Sequence, residues 1–387
     1  MKRLLELTLL LLLAACQTPP APTPPPEPVP ACPEPPPPAP EVEELKAVLG
    51  QIEDLRKAFV LGRSGAELTQ SAAQADAVAA DAHAEPLRTL AGLLSARLAA
   101  LRTRIKDGAA FGYVRGIPVE RYDRETQLRV YWGISRHIGD PVPQNRNGHM
   151  IGHVIDVGDR PDDVNRRLTQ SNAELAFHSD SCDVVGLLCV HTAMSGGTSA
   201  IVSAIAVHDE MLRRDPELCA TLYEPVVLDR RGEVPPGKTP WFEMPVFTRH
   251  NGQFNGYGPL PQYIESNQRF ADAPRLTERQ RAAIDLFYAI CADDRFCLRI
   301  PFKPGDIQFL QNHLIFHSRT EFEDWPDKAR KRHLIRMWLS LPDGRELPPI
   351  FLNKWTNITP GTRRGGAIVA EGKTPMIPFE PEIRAFA

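Results

Sequence analysis

The sequence predicts a mostly β fold with flanking helices, an α+β chain whose strands form a sandwich or barrel. Short β-rich segments recur between residues 111 and 341, separated by clusters of Pro, Gly and Asp. There is no alternating strand–helix pattern and no Gly-x-Gly-x-x-Gly, which argues against a nucleotide-binding doubly wound sheet. The chain has 387 residues (43.1 kDa), 42% hydrophobic and 24% charged, enough for a sizeable core. A net charge of −3 gives no basic face for nucleic acid.

Taken in order, residues 1–15 read as a secretory signal. Lys2 and Arg3 precede an apolar stretch, Leu4 to Ala15, that is too short to span a bilayer. It ends Leu13-Ala14-Ala15-Cys16, which resembles the bacterial lipobox. That resemblance implies cleavage before Cys16, a lipid anchor on its thiol, and a membrane-anchored lipoprotein of the cell envelope. Gln17 resembles outer-membrane sorting, with the domain facing the periplasm. The other readings are a plain signal peptide, or a cytoplasmic protein with an over-extended start. Residues 17–41 contain 14 prolines in 25 positions. Such a stretch has few backbone donors and stays extended, so residues 16–41 read as a lipidated tether.

Residues 42–107 read as a helical N-terminal segment. Leu45, Val48, Leu49, Ile52, Leu55 and Phe59, then Leu87, Leu90, Leu93, Leu94, Leu98 and Leu101, recur at helical spacing. Residues 108–350 form the catalytic domain, and 351–387 a C-terminal extension. Strands are expected over Phe111–Val114, His149–Val157, Ala173–Asp180, Val184–Ala193, Thr198–Ser203, Leu298–Phe302, Ile307–Leu310 and His333–Leu341. Helices are expected over Thr126–His137, Val207–Arg214 and Thr277–Ala292. The glycine-bearing segment Arg249–Asn267, with Tyr257 and Tyr263, reads as a lid. Cys291 and Cys297 are near enough to pair if exported, and their apolar neighbours fit two buried thiols equally well.

His178 and Asp180 are two apart and share one face of a continuous strand. His317 follows Asp180 by 137 residues. Two imidazoles and one carboxylate, with open positions left over, suit a non-haem Fe(II) site. Arg332 and Arg336 have even separation, and a guanidinium binds a carboxylate in bidentate fashion.

With these residues in order, the chain resembles the taurine dioxygenase-like family of Fe(II)/2-oxoglutarate oxygenases over roughly residues 108–350. The likeness rests on Tyr113-Val114-Arg115-Gly116-Ile117-Pro118, Phe177-His178-Ser179-Asp180, Ser195-Gly196-Gly197-Thr198-Ser199, Pro304-Gly305-Asp306, His317 and the two arginines. It implies a double-stranded β-helix, the jelly roll of the clavaminate synthase-like type. It implies His178, Asp180 and His317 as Fe(II) ligands, and Arg332 on the C5 carboxylate of 2-oxoglutarate, assisted by Ser199 or, second, Thr198. Arg336 would lie near the C1 carboxylate or an anionic substrate, and the two arginine roles are exchangeable. The implied reaction uses O2, releases succinate and CO2, and oxidises a small molecule; a retained Asp180 favours hydroxylation over halogenation. The rival reading is a non-catalytic, envelope-tethered jelly-roll binding protein.

Among the other polar residues, Glu174 has the parity of His178 and faces the pocket on a continuous strand. It either contacts substrate or makes a rim salt bridge. Gln144 and Asn145 are candidates for the pocket entrance, and Tyr257 for substrate contact from the lid. His313 and Asp183 read as structural.

Overall fold

The computed structural model describes residues 84–158, 168–355 and 357–381. The expected signal, Cys16, the proline-rich tether, the first helical pattern and Cys32 lie outside the described residues. Among the described residues, no helix is long and apolar enough to cross a membrane. Helix α1 (Ala84–Asp107) carries the second leucine pattern. Helix α2 (Arg124–Arg136) starts two residues before the predicted span because Asp123 caps it, its side chain accepting from the Thr126 N–H.

Two large antiparallel sheets follow. Their strands are β1 (Phe111–Val114), β2 (Asp140–Val142), β3 (Ile151–Ile155), β4 (Leu175–His178), β5 (Val184–His191), β6 (Ser199–Ser203), β7 (Cys297–Ile300), β8 (Ile307–Gln311), β9 (Ile315–Arg319) and β10 (His333–Ser340). The six-stranded sheet runs β1-β8-β5-β10-β2, with β3 also paired to β10, and the four-stranded sheet runs β7-β6-β9-β4. Val185, Leu187 and Trp338 of the first pack with Ile201, Ile300 and Ile315 of the second in one buried core. This is the expected jelly roll.

The smaller sheet buries both faces. Ile201 and Ile315 turn toward the other sheet, while Ala200, Val202 and Phe316, of opposite parity, join a second core with the helices. Those helices are α3 (Ala204–Arg214), α4 (Pro216–Thr221), α5 (Pro261–Ser266) and α6 (Glu278–Ala292). Val207 and Met211 of α3, and Phe287 and Ile290 of α6, fill that core. Helix α6 begins at the expected place, with Thr277 and Gln280 forming a reciprocal capping box.

Two expectations are corrected here, and one that stood open between two readings is decided. Strand β4 covers only Leu175–His178, so Asp180 lies beyond its end and Glu174 before its start. The proposed lid folds instead into a hairpin, Phe247–His250 with Gln253–Gly256, followed by α5. Cys291 and Cys297 are free, buried thiols. Strand β9, which carries His317, has too short an apolar run (Ile315-Phe316) to be read in advance as a strand.

Candidate metal and co-substrate site

The two histidines are brought together by strand register. His317 on β9 is the direct cross-strand partner of His178 on β4, and their ring centroids are 4.1 Å apart. The His178 Nδ1–H donates to the Ala176 carbonyl at 2.9 Å, leaving Nε2 with a free lone pair. Asp180 is placed by neighbours, since its strand has already ended. Its N–H donates to Asn312 Oδ1 at 3.1 Å, and the Ser179 hydroxyl donates to the Asn312 carbonyl at 3.0 Å. Gly258 closes the turn: its N–H donates to Ser179 Oγ at 3.1 Å, and its carbonyl accepts from the Ser179 N–H. A Cβ at Gly258 would lie 2.9 Å from His178 Cα, so only glycine permits this approach.

The result is a buried trio whose ligand atoms all lie within 4.8 Å of one another. Asp180 Oδ2 is buried without a hydrogen-bond partner, 3.8 Å from His317 Nε2. A lone carboxylate oxygen facing two imidazoles is satisfied by a cation, so the donor set fits a metal ion. Burial lowers both histidines, His317 to about 3, where the neighbouring His178 adds to the effect. Burial opposes the charge on Asp180, but Arg336 and the two imidazoles overcome it and hold the carboxyl below its ordinary range. Neutral imidazoles beside a charged carboxylate are the protonation states that ligation needs.

Arg336 lies on β10 and Arg332 immediately before its first residue; both line the inner cavity, yet they differ in their contacts. Arg336 Nη1 donates to Asp180 Oδ1 at 3.0 Å and Nε donates to Gln144 Oε1 at 2.9 Å. Gln144 in turn donates from Nε2 to the Arg336 carbonyl at 2.8 Å. Gln144 is therefore a buried brace, and not part of an entrance. Arg332 makes no ion pair among the described residues; its Nη2 reaches only the Gly197 carbonyl at 3.4 Å, and Nη1 is buried without a partner. Gly197, at φ 67°, makes room for it, because a Cβ there would lie 2.8 Å from Arg332 Nε.

Arg319 was not singled out by sequence reasoning. It stands two residues after His317 on β9, so the period-2 argument used for Arg332 and Arg336 would have placed it on the metal's face. Its Nε and Nη1 are buried and unpartnered, while Nη2 donates to the Ser171 carbonyl at 3.2 Å. Ser199, its cross-strand partner on β6, lines the same inner cavity as His317, Arg319 and Arg332. Thr198, the second choice, does not line that cavity. Burial lowers both guanidiniums, Arg319 to about 9 and Arg332 to about 10, and the charge on Arg332 lowers Arg319 further.

His178 and Asp180 also line a cavity of about 490 Å³, together with Tyr257, Trp338 and a set of basic residues. Tyr257, expected at the substrate, does line it. Glu174 is exposed and Asn145 accepts from the His149 N–H at 3.1 Å within its own loop; neither is in the cavity wall. Asp183 and His313 form a buried pair with Arg364 away from the metal ligands, as structural residues do.

The family model described as "Taurine catabolism dioxygenase TauD, TfdA family" matches residues 71–338. The chain belongs to this family. Among curated TauD/TfdA-like relatives, FR-33289 synthase of Streptomyces rubellomurinus is 30% identical over 65% of this chain and 75% of its own length. Uridine-5'-phosphate dioxygenase of an Amycolatopsis species is 24% identical, covering 64% of this chain and 80% of its own. A crystal structure of asparagine oxygenase with Fe(II), 3-hydroxyasparagine and succinate superposes with a TM-score of 0.48 at 20% identity, over 67% of this chain and 85% of the other.

Proposed function

We propose that this TauD/TfdA-family protein is a non-haem Fe(II)/2-oxoglutarate dioxygenase that hydroxylates a small molecule. The observation that carries the reading is an inner cavity in which two of the three clustered metal-ligand candidates, His178 and His317, face two buried guanidiniums, Arg319 and Arg332, that make no ion pair among the described residues. His178, Asp180 and His317 hold the iron. Arg332 binds the remote carboxylate of 2-oxoglutarate, with Arg319 and the Ser199 hydroxyl beside it. Two like charges buried together are costly until an anion neutralises them, and a dicarboxylate supplies one at that end. Arg336 orients Asp180 as a positioning residue, and this contact favours giving the C5 carboxylate to Arg332. Iron and 2-oxoglutarate, when bound, supply the oxidant from O2 for C–H cleavage, with succinate and CO2 released. The surrounding apolar residues, Leu175, Leu187 and Leu334, keep water from that end of the co-substrate.

The test is succinate release from 2-oxoglutarate with Fe(II) and O2, comparing the wild type with His178→Ala. Turnover by the wild type alone supports the reading, and failure of the wild type to bind either Fe(II) or 2-oxoglutarate removes it.

We also propose that the chain is anchored to the envelope through lipidated Cys16. Incorporation of labelled palmitate, lost in Cys16→Ser, tests this; recovery of the unlabelled protein in the soluble fraction rejects it.

A further inference from the structure

Residues 351–387, an extension by their sequence, return to the candidate metal site. The family match ends at residue 338, yet Gly366 to Glu371 line the 490 Å³ cavity that His178 and Asp180 also line. Arg364 starts this return. Its buried guanidinium is clamped on Asp183, and its N–H donates to Ser340 Oγ at 2.9 Å. Gly365 and Gly366, at φ 74° and 80°, then turn the chain, and a Cβ on Gly366 would lie 2.9 Å from the Pro143 carbonyl oxygen.

Backbone bonds hold the segment at both ends. The Gly366 N–H donates to the carbonyl of Ser181, the residue after Asp180, at 2.8 Å, and the Ala367 N–H donates to the Pro143 carbonyl at 2.7 Å. Further on, the Ala370 N–H donates to the Arg146 carbonyl at 2.8 Å. Met376 donates to the Gly148 carbonyl at 2.9 Å and accepts from the Met150 N–H at 2.8 Å. So tied, the segment is a fixed wall. Between the ties stand Ile368, 37% exposed, and Val369, half-buried. Val234, Pro235, Pro236 and Leu260 line the same cavity. One exposed apolar side chain is ordinary on a protein surface. Apolar side chains gathered in a cavity with metal-ligand candidates form a place for apolar carbon, because covering them removes their contact with water.

We propose that Ile368 and Val369 are specificity-determining residues that receive an aliphatic portion of the substrate, several carbons long. The carbon to be oxidised then lies at the metal ligands of the same cavity. This inference rests on the dioxygenase reading for the reaction, but the apolar wall stands on the cavity and the C-terminal segment alone.

The experiment titrates 1-butanol, 1-hexanol and 1-octanol calorimetrically into the full protein loaded with Fe(II) and 2-oxoglutarate without O2. Neutral probes keep the charged residues of the cavity out of the comparison. Binding should tighten with chain length, by up to about fourfold for each methylene buried. The double variant Ile368→Ser/Val369→Ser should bind 1-octanol at least fivefold more weakly than the wild type. Should that variant not fold, Ile368→Ser alone is measured, with at least a twofold loss expected. Affinity that does not rise with chain length, or folded variants that bind 1-octanol as the wild type does, overturns the apolar wall. The two readings fail separately. Succinate release with alkanol binding indifferent to Ile368 and Val369 rejects only the wall, and wall-dependent binding without any metal-dependent turnover rejects only the oxygenase.

Discussion

Asp180 gives one carboxylate oxygen to Arg336, at 3.0 Å, and keeps the other buried and unshared beside His317. The arginine fixes which oxygen is left facing His317 and holds the carboxylate ionised. Replacing Arg336 with Gln should therefore lower Fe(II) affinity about 10- to 100-fold, the usual effect of removing a ligand's outer partner. Arg332→Gln should leave metal affinity unchanged. Equilibrium dialysis with Fe(II) or Co(II) reads both, and equal losses in the two variants would contradict the assignment.

Arg319 and Arg332 line one inner cavity. Substituting Gln for either should raise the apparent KM for 2-oxoglutarate about 10- to 100-fold, the range for losing a charge-assisted hydrogen bond worth about 1.5–3 kcal/mol. The same change removes one of two repelling buried charges, so the melting temperature without co-substrate should not fall. Added 2-oxoglutarate should raise it less than in the wild type. A KM left at the wild-type value in Arg319→Gln would remove that residue from the site.

Asp183 is the hub of a structural network. Its carboxylate accepts from His313 Nε2 at 2.9 Å, from Arg364 at 2.9 and 3.0 Å, and from the Leu341 N–H at 2.8 Å. The Arg364 side chain is 0% exposed. Asp183→Asn strands that charge, and should destabilise the fold by about 3–5 kcal/mol. Urea denaturation gives the value, and a loss under about 1 kcal/mol would show the network to be dispensable.

His333 and His153 set an acid limit on stability. Arg124 donates to His333 Nδ1 at 3.2 Å, which leaves the His333 Nε2–H to donate to His153 Nδ1 at 2.8 Å and the His153 Nε2–H to donate to the Pro378 carbonyl at 3.0 Å. The chain of donors works only with both rings neutral. Burial, with Arg124 next, pushes His333 down to about 2, and burial also lowers His153. Between that value and the unfolded pKa near 6.5, the unfolded chain binds more protons than the native one. Stability is thus fully present above about pH 6.5 and falls below it, by up to about 1.4 kcal/mol per pH unit for each ring. Urea midpoints from pH 7 to 5 should drop steeply in the wild type and more gently in His333→Gln. Parallel slopes would place the acid sensitivity elsewhere.

The donor chemistry and the inward faces of β6 and β10 were legible in the sequence, because residue type and a two-residue period are local properties. His178, Asp180 and His317 could be named as donors by residue type, whereas Ser199 and the role of Arg332 rested on the family resemblance. Parity misled where a strand stopped early: it put Glu174 on the pocket face, although β4 begins only at Leu175. It reached Asp180 for the wrong reason, since Asn312 and the Ser179–Gly258 turn place that carboxylate. The choice between Arg332 and Arg336 was not legible at all. Arg336 meets Asp180 across 156 residues and Gln144 across 192, and such meetings are set by sheet register and loop closure. The sequence alone therefore determined the class of fold and the candidate ligand set. Only the tertiary structure decided which arginine meets Asp180 and which two share the inner cavity, because burial and charge pairing belong to the assembled fold.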